Sequence, residues 1–508
     1  MSTASLLLWV VIGVLASGNL SQAQQTSSDN LDELMQGFDD PASDVPATEL
    51  DELMQGFEDD PNSAAPAQPA LDNPEMQELL EGFEDSSDTK KSAASPTKPS
   101  RWWDWGGYMT LSSSYNYQHQ SPPPGEADFR GLSRFRYKIQ PELKVDLPHQ
   151  WDIFVSANAF YDAAFSFNGR RQYRSSYLKK YERELELRDL YVQGSLNAQW
   201  DIKIGRQIVV WGKSDTIRVV DVLNPLDFRE PGMVDIEDLR LPVTMVKADY
   251  YFNEWNFSTL LIPEIRGDKL PAYGSDFYPS PFPPLHKDRP NNGLDNLEYA
   301  VALSGIFSGW DLSFHYASVY EDQPHLKKRP SANNDNGMEQ AFSRLTLLGT
   351  AANFAIGNWL IKGELAVIRG FQFFATDEAT FSRNDIMLGF DYSGFTDTTL
   401  SLEGVLRHLN NFTDALSNLP DDTEQDSGQL AFRYTGNFQR ETLQTVFLAS
   451  IFGTKGEQGA IYRASIKYIP KDAFSMTAGI IVYASGENRL LKQIADNDRF
   501  FGEIRYDF

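Results

Sequence analysis

The chain has 508 residues, 71 Asp and Glu against 45 Lys and Arg for a net charge of −26, and no cysteine. Without Cys there is no disulfide framework, Cys-ligated metal, thiol catalysis or lipoprotein acylation, and the excess of acid argues against a nucleic-acid partner. A mean hydropathy of −0.42, with no apolar span of about 20 residues past the N-terminus, excludes a helical membrane protein but not a β-barrel, whose alternating strands average as polar.

An apolar run from Leu6 to Ala16, then Ser21-Gln22-Ala23, reads as a secretory signal over residues 1–23, although no Lys or Arg precedes the run. The expected destination is a bacterial outer membrane with the following segment in the periplasm. Residues 24–100 hold 19 Asp and Glu and three Lys, too little apolar content to offset chain entropy, so disorder is expected in isolation.

That segment contains a repeat. Leu31-Asp32-Glu33-Leu34-Met35-Gln36-Gly37-Phe38 recurs as Leu50-Asp51-Glu52-Leu53-Met54-Gln55-Gly56-Phe57 and, degraded, as Met76-Gln77-Glu78-Leu79-Leu80-Glu81-Gly82-Phe83, defining units 31–40, 50–59 and 76–85. Apolar residues at i, i+3, i+4 and i+7 predict one face of about two helical turns. Two turns are unstable alone, so each unit reads as a helix-in-groove docking peptide for a periplasmic or inner-membrane transporter partner. The anchors are Leu31, Leu34, Met35 and Phe38; Leu50, Leu53, Met54 and Phe57; and Met76, Leu79, Leu80 and Phe83. A duplicated spacer and a plug folded into a lumen stay open as alternatives.

From Trp102 the pattern becomes alternation of period two, as in Ile386, Leu388, Phe390 and Tyr392 against Met387, Gly389, Asp391 and Ser393. Alternation also suits a soluble sandwich; the turns separate the two. Trp151, Trp200, Trp255, Trp310 and Trp359 each follow a tight polar turn at intervals of 49, 55, 55 and 49 residues, whereas the opposite connections are long. Short turns on one rim, long loops on the other and an aromatic girdle define an antiparallel outer-membrane β-barrel in contact with lipid. Strands are predicted over 106–118, 131–147, 151–167, 184–196, 200–210, 243–253, 255–265, 297–308, 310–321, 338–357, 358–375, 383–395, 398–410, 427–438, 442–453, 459–470, 473–485 and 500–508, which makes 18, or 16 if two weak ones merge into loops. Phe508, ending an alternating Ile504-Arg505-Tyr506-Asp507 run, resembles the recognition end of such barrels and is the candidate assembly signal.

The stretch 205–242 is too long and ionic for a simple connection. Arg206, Lys213, Asp215, Arg218, Asp221, Asp227, Arg229, Glu230, Asp238 and Arg240 interleave opposite charges, with Trp211 and Asn224 among them. Charge facing lipid is costly, so these residues are predicted in the lumen or at the outer rim, as a constriction or as a rigidifying ion-pair network. Strict alternation aims Arg206 at lipid, so a bulge at Gly205 is expected to turn it inward.

The run Gly205-Arg206-Gln207, Trp211-Gly212-Lys213-Ser214-Asp215, Arg218-Val219, Asp221-Val222, Asn224-Pro225, Asp227 and Arg229-Glu230 resembles the proteobacterial outer-membrane family catalogued as domain of unknown function 1302, over about residues 102–508 and not the repeats. The resemblance implies an outer-membrane barrel associated with inner-membrane pumps of the resistance-nodulation-division class and with a soluble lipid-binding-like partner. It supplies no substrate.

Catalytic and cofactor signals are weak. The six histidines form no His-x-x-x-His pair and no phosphate loop is present, so no metal or cofactor is expected. Ser313 and His315, two apart on one strand face, leave a barrel-embedded hydrolase as the third reading. The first is an export conduit for hydrophobic cargo, and the second a passive uptake channel for such compounds.

Overall fold

The computed structural model describes residues 101–508 except Pro124, 235–238, Pro281, 329–336 and 377–378. The signal, the three repeats and Asp238 therefore lie outside the described residues.

Eighteen antiparallel strands form one sheet that closes when the last strand pairs with the first. In chain order they are β1 (Trp103–Asn116), β2 (Gly131–Leu147), β3 (Trp151–Asp162), β4 (Arg183–Asn197), β5 (Trp200–Gln207), β6 (Val243–Phe252), β7 (Trp255–Ile262), β8 (Glu298–Phe307) and β9 (Trp310–Tyr320). The second half comprises β10 (Arg344–Ile356), β11 (Trp359–Phe371), β12 (Phe381–Phe395), β13 (Thr398–Asn410), β14 (Asp426–Phe438), β15 (Leu443–Phe452), β16 (Gly459–Lys471), β17 (Phe474–Ala484) and β18 (Arg499–Asp507). Closure of the first strand on the last removes the two outer edges of the sheet, the condition for a β-structure to cross a bilayer.

Each strand presents an apolar outer row and a mixed inner row. Leu348, Ile386, Leu388, Leu406 and Ile466 are exposed, while their neighbours Leu347, Met387 and Val405 are buried inward. An outer face of exposed aliphatic and aromatic side chains is a lipid-facing surface. Trp151, Trp200, Trp255, Trp310 and Trp359 each open a strand at the short-turn rim, where Trp310 stacks on Phe307 and Trp359 packs on Tyr392. Both barrel ends lie on this rim; the Phe508 amide donates to the Gly107 carbonyl (2.9 Å) and its ring meets Trp105.

Several predicted strand ends shift by a few residues, two of them by five or more, and one expected bulge is missing. The strand expected over 151–167 stops at Asp162, whose carboxylate accepts the Phe135 and Ala164 amides and turns the chain into the short helix Ala164–Phe167. The strand expected over 338–357 is two pieces: Met338–Ala341 pairs with His325–Lys328 and Lys287–Asp288 in a separate three-stranded sheet, and β10 starts at Arg344. The break is held by Ser343, whose carbonyl accepts the Glu321 amide. The bulge expected at Gly205 is absent. Pairing of β5 with β4 runs without a shift through Tyr191–Gly205 and Leu190–Arg206, so Arg206 falls on the outward row, between Leu190 and Thr244.

Candidate functional site: the loop folded into the lumen

After Gln207 the chain leaves β5 and enters the barrel, described over residues 208–234 and 239–242. Val209, Trp211, Ile217, Val219, Val220 and Leu223 are each at most 7% exposed and pack on inward residues of the wall from Val243 and Met245 on β6 to Ala431 on β14. One side of the lumen is thereby filled with apolar side chains.

Two carboxylates hold the crossing. Glu364 on β11 accepts the amides of Lys213 (2.6 Å), Ser214 (2.8 Å) and Val220 (3.2 Å). Glu403 on β13 accepts those of Asp215 (2.9 Å) and Thr216 (3.0 Å) and the Ser214 hydroxyl (2.7 Å). Five loop amides thus make charge-assisted bonds in a place where an unpaired amide would be costly. Gly212 permits the approach: it sits at φ +91°, and a Cβ there would lie 2.7 Å from a Glu364 oxygen. Lys362, nearly buried, balances the acids through Asp215 (2.5 Å), Asp391 (2.7 Å) and Glu403 (3.8 Å).

Further along, Lys213 pairs with Asp311 on β9 (2.6 Å), and the Trp211 ring lies 4.7 Å from that of His315. Asn224, fully buried, accepts the Val209 amide and donates to the Leu241 carbonyl, tying the entering and leaving limbs together. Arg218 donates to the carbonyls of Asp221 (2.7 Å) and Asn224 (2.8 Å); the Asp221 carboxylate binds Arg240 (2.8 Å).

The far limb then reaches other strands. Arg229 pairs with Asp227 (2.6 Å) and with Glu184 on β4 (2.5 Å), and this acid pair raises its pKa against the opposing effect of burial. Glu230 pairs with Arg134 (2.5 Å) and Arg136 (3.2 Å) on β2. Burial raises the Glu230 pKa, but these guanidiniums and Arg229 outweigh it and lower it to about 2.

The residues singled out in the sequence therefore assemble on one loop, except Arg206 on the outer wall and Asp238, which is not described. Sequence reasoning missed their wall partners: Glu364, Glu403, Lys362, Asp311, Glu184, Arg134 and Arg136. The available signal was ionic residues two apart on otherwise apolar strands, as in Leu360-Ile361-Lys362-Gly363-Glu364-Leu365.

Ser313 and His315 do meet, with Nε2 2.9 Å from the Ser313 oxygen. The Ser313 hydroxyl also lies 3.2 Å from the Ala351 carbonyl, which it reaches as a donor. His315 Nδ1 has no hydrogen-bond partner among the described residues, so no acid orients the ring. The pair thus lacks the third group that orients the base of a serine nucleophile. Among the described residues no cluster of His, Asp and Glu suits a metal ion.

A closed barrel with an apolar exterior, a tryptophan rim and a lumen crossed by an anchored loop defines an outer-membrane β-barrel of channel architecture. The chain belongs to the family described as protein of unknown function DUF1302, whose model matches residues 124–508. Among solved structures it is similar to Acinetobacter baumannii OccAB3 (12% identity, TM-score 0.47, 80% of this chain and 99% of that one). It is also similar to Pseudomonas aeruginosa OccK5, or OpdH (10%, TM-score 0.44, 80% and 98%). A loop-deleted OmpT of Vibrio cholerae also matches (9%, TM-score 0.37, 80% and 99%). No curated protein matches the sequence.

Proposed function

We propose that this protein is the outer component of an envelope-spanning export route for lipid-like or other hydrophobic compounds, engaging an inner-membrane pump of the resistance-nodulation-division class through its N-terminal repeats. The observation that carries the reading is a closed outer-membrane barrel whose lumen is crossed by a loop anchored on Glu364 and Glu403, with Val209 to Leu223 buried against the wall and holding that loop in place. The repeats add to it, because a stand-alone channel has no need of periplasmic docking peptides. The constriction role of Lys213 to Arg240 and the girdle role of the five tryptophans belong to the same proposal.

The test replaces Phe38, Phe57 and Phe83 together with Ala, removing one hot-spot aromatic worth roughly 2 kcal/mol from each engaged copy. The variant is expected to insert as a barrel yet lose co-purification with an inner-membrane or periplasmic partner and lose cargo movement. Normal transport by the triple variant makes the repeats a spacer and favours the second reading, a passive uptake channel for the same compounds.

A further inference from the structure

The wall is incomplete beside the loop. β4 has 15 residues and β5 has 8, and their pairing ends at Leu190–Arg206. Residues 183–189 of β4 pair with β3 on one side and, among the described residues, with no strand on the other. The next seam is short as well: β6 meets β7 only from Val246–Leu261 downward, leaving Thr244 above it.

Side chains, not backbone bonds, close this gap. Arg206 runs along the free edge of β4, donating to the Leu187 carbonyl (2.9 Å) and, through Nη1, to both Glu264 oxygens (2.8 Å each). Glu264 also accepts the Thr244 amide and hydroxyl. Arg266 bridges Glu186 and the Pro242 carbonyl, and Arg188 donates to the Arg240 carbonyl. Directly behind the gap therefore stands the leaving limb of the lumen loop, Arg240-Leu241-Pro242.

On the outside the gap is a cleft of about 520 Å³ lined by Leu185, Leu187, Leu190, Gly205, Arg206 and Thr244, with Glu186 at its back. Leu185 is 81% exposed, and the leucines continue the lipid-facing row of β4. Arg206 lies six residues above Trp200, about 15 Å at ~3.3 Å per residue and a tilt of about 40°, inside an apolar band some 25 Å tall. A charged pair at that depth needs a polar neighbour, while the leucines beside it need hydrocarbon. An amphiphile from the adjoining leaflet supplies both, and the cleft is continuous with the surface that the bilayer already covers.

We propose that the gap between β4 and β6 is a lateral port, through which a molecule carrying a hydrocarbon chain passes between the lumen and the leaflet on the long-loop side. The chain lies on Leu185, Leu187 and Leu190, its polar end meets Arg206, Glu264 and Thr244, and passage requires these ion pairs and the Arg240–Pro242 limb to part. The proposal rests on the reading that the cargo is hydrophobic, but not on the direction of flow or on any pump.

The cysteine-free chain allows a direct test. Full-length protein is placed in phosphatidylglycerol–phosphatidylcholine vesicles with a diazirine-bearing sixteen-carbon fatty acid, irradiated and mapped by mass spectrometry. Parallel samples carry Leu187→Cys or Leu406→Cys, each blocked with a bulky maleimide; Leu406 faces outward on β13, paired on both sides. The port predicts label at 185–190 and on the inner limb 239–243, both falling several-fold in the blocked Leu187→Cys variant and neither changing in the blocked Leu406→Cys variant. Label on the inner limb that persists in the blocked Leu187→Cys variant means entry along the barrel axis and overturns the port. Label only on outward residues, equal along all strands, means ordinary boundary lipid and overturns it too. Either failure leaves the export reading to the triple-phenylalanine experiment.

Discussion

Glu230 sits between Arg134 and Arg136 with its side chain and theirs largely buried, so each charge depends on the others. Glu230→Gln would leave Arg134 without its ion-pair partner and Arg136 with Asp162 alone, and breaking a buried pair costs about 3–5 kcal/mol. The expected result is release of the 229–233 limb, read as new tryptic cleavage after Arg229 in the folded barrel. The pH dependence follows from a folded pKa of about 2 against an ordinary value of 4.5. A lowered carboxylate pKa contributes stability above the unfolded value and loses it as pH falls from about 4.5 toward 2. Wild-type protein should therefore resist trypsin at pH 7 and, probed below pH 4.5 with the acid protease pepsin because trypsin is inactive there, become susceptible as the pH falls, whereas the Gln variant should be cut by trypsin at pH 7 and by pepsin in acid. Cleavage of wild type that is independent of pH would show that this carboxylate does not hold the limb. Arg218 and Arg229 differ in kind: Arg218 makes its closest bonds to loop carbonyls, Arg229 to Asp227 and Glu184. Neutralising Arg229 should loosen the loop from β4, and neutralising Arg218 should deform the loop itself, so both should change conductance without preventing assembly.

At the level of elements, the strands were legible because each carries its own evidence: period-two alternation bounded by turn residues, repeated 18 times. Failures arose where a single side chain redirects the backbone, as Asp162 does, or where alternating residues pair outside the barrel, as in Met338–Ala341. The loop was legible as an ionic stretch destined for the interior. Its anchors were not, because Ser214 and Glu403 are 189 residues apart and no local pattern links an inward Glu to a distant amide. Arg206 departs from expectation for a related reason: the cost of charge in lipid predicts an inward side chain, but a gap in the wall accommodates it outside. The loop's docking rests on Gly212, and Gly212→Ala introduces both an unfavourable φ and a 2.7 Å approach to Glu364. It should release residues 213–220 from the wall, and single-channel conductance in planar bilayers should rise while the barrel remains resistant to unfolding at room temperature. Unchanged conductance would mean that the loop does not limit the lumen.

For the whole molecule, the even strand count and the shared rim place the two ends of the barrel on the side of the short turns, and the export proposal puts the 77-residue segment 24–100 in the periplasm on that side. At ~3.3 Å per residue it reaches at most about 250 Å, enough to meet a partner well away from the outer membrane. The export reading needs that reach, and it needs more than one docking unit only if tethering raises effective concentration. Protease added to intact cells should therefore spare the segment, and protease admitted to the periplasm should remove it. The single Phe38→Ala variant should co-purify with its partner nearly as wild type does, because two tethered copies remain. Changing the acids around the repeats should alter salt sensitivity and association rate more than final affinity. Cleavage from outside intact cells would reverse the topology and leave the repeats unable to reach any pump. A large loss from Phe38→Ala alone would instead assign docking to the first unit and make the other two its spacer.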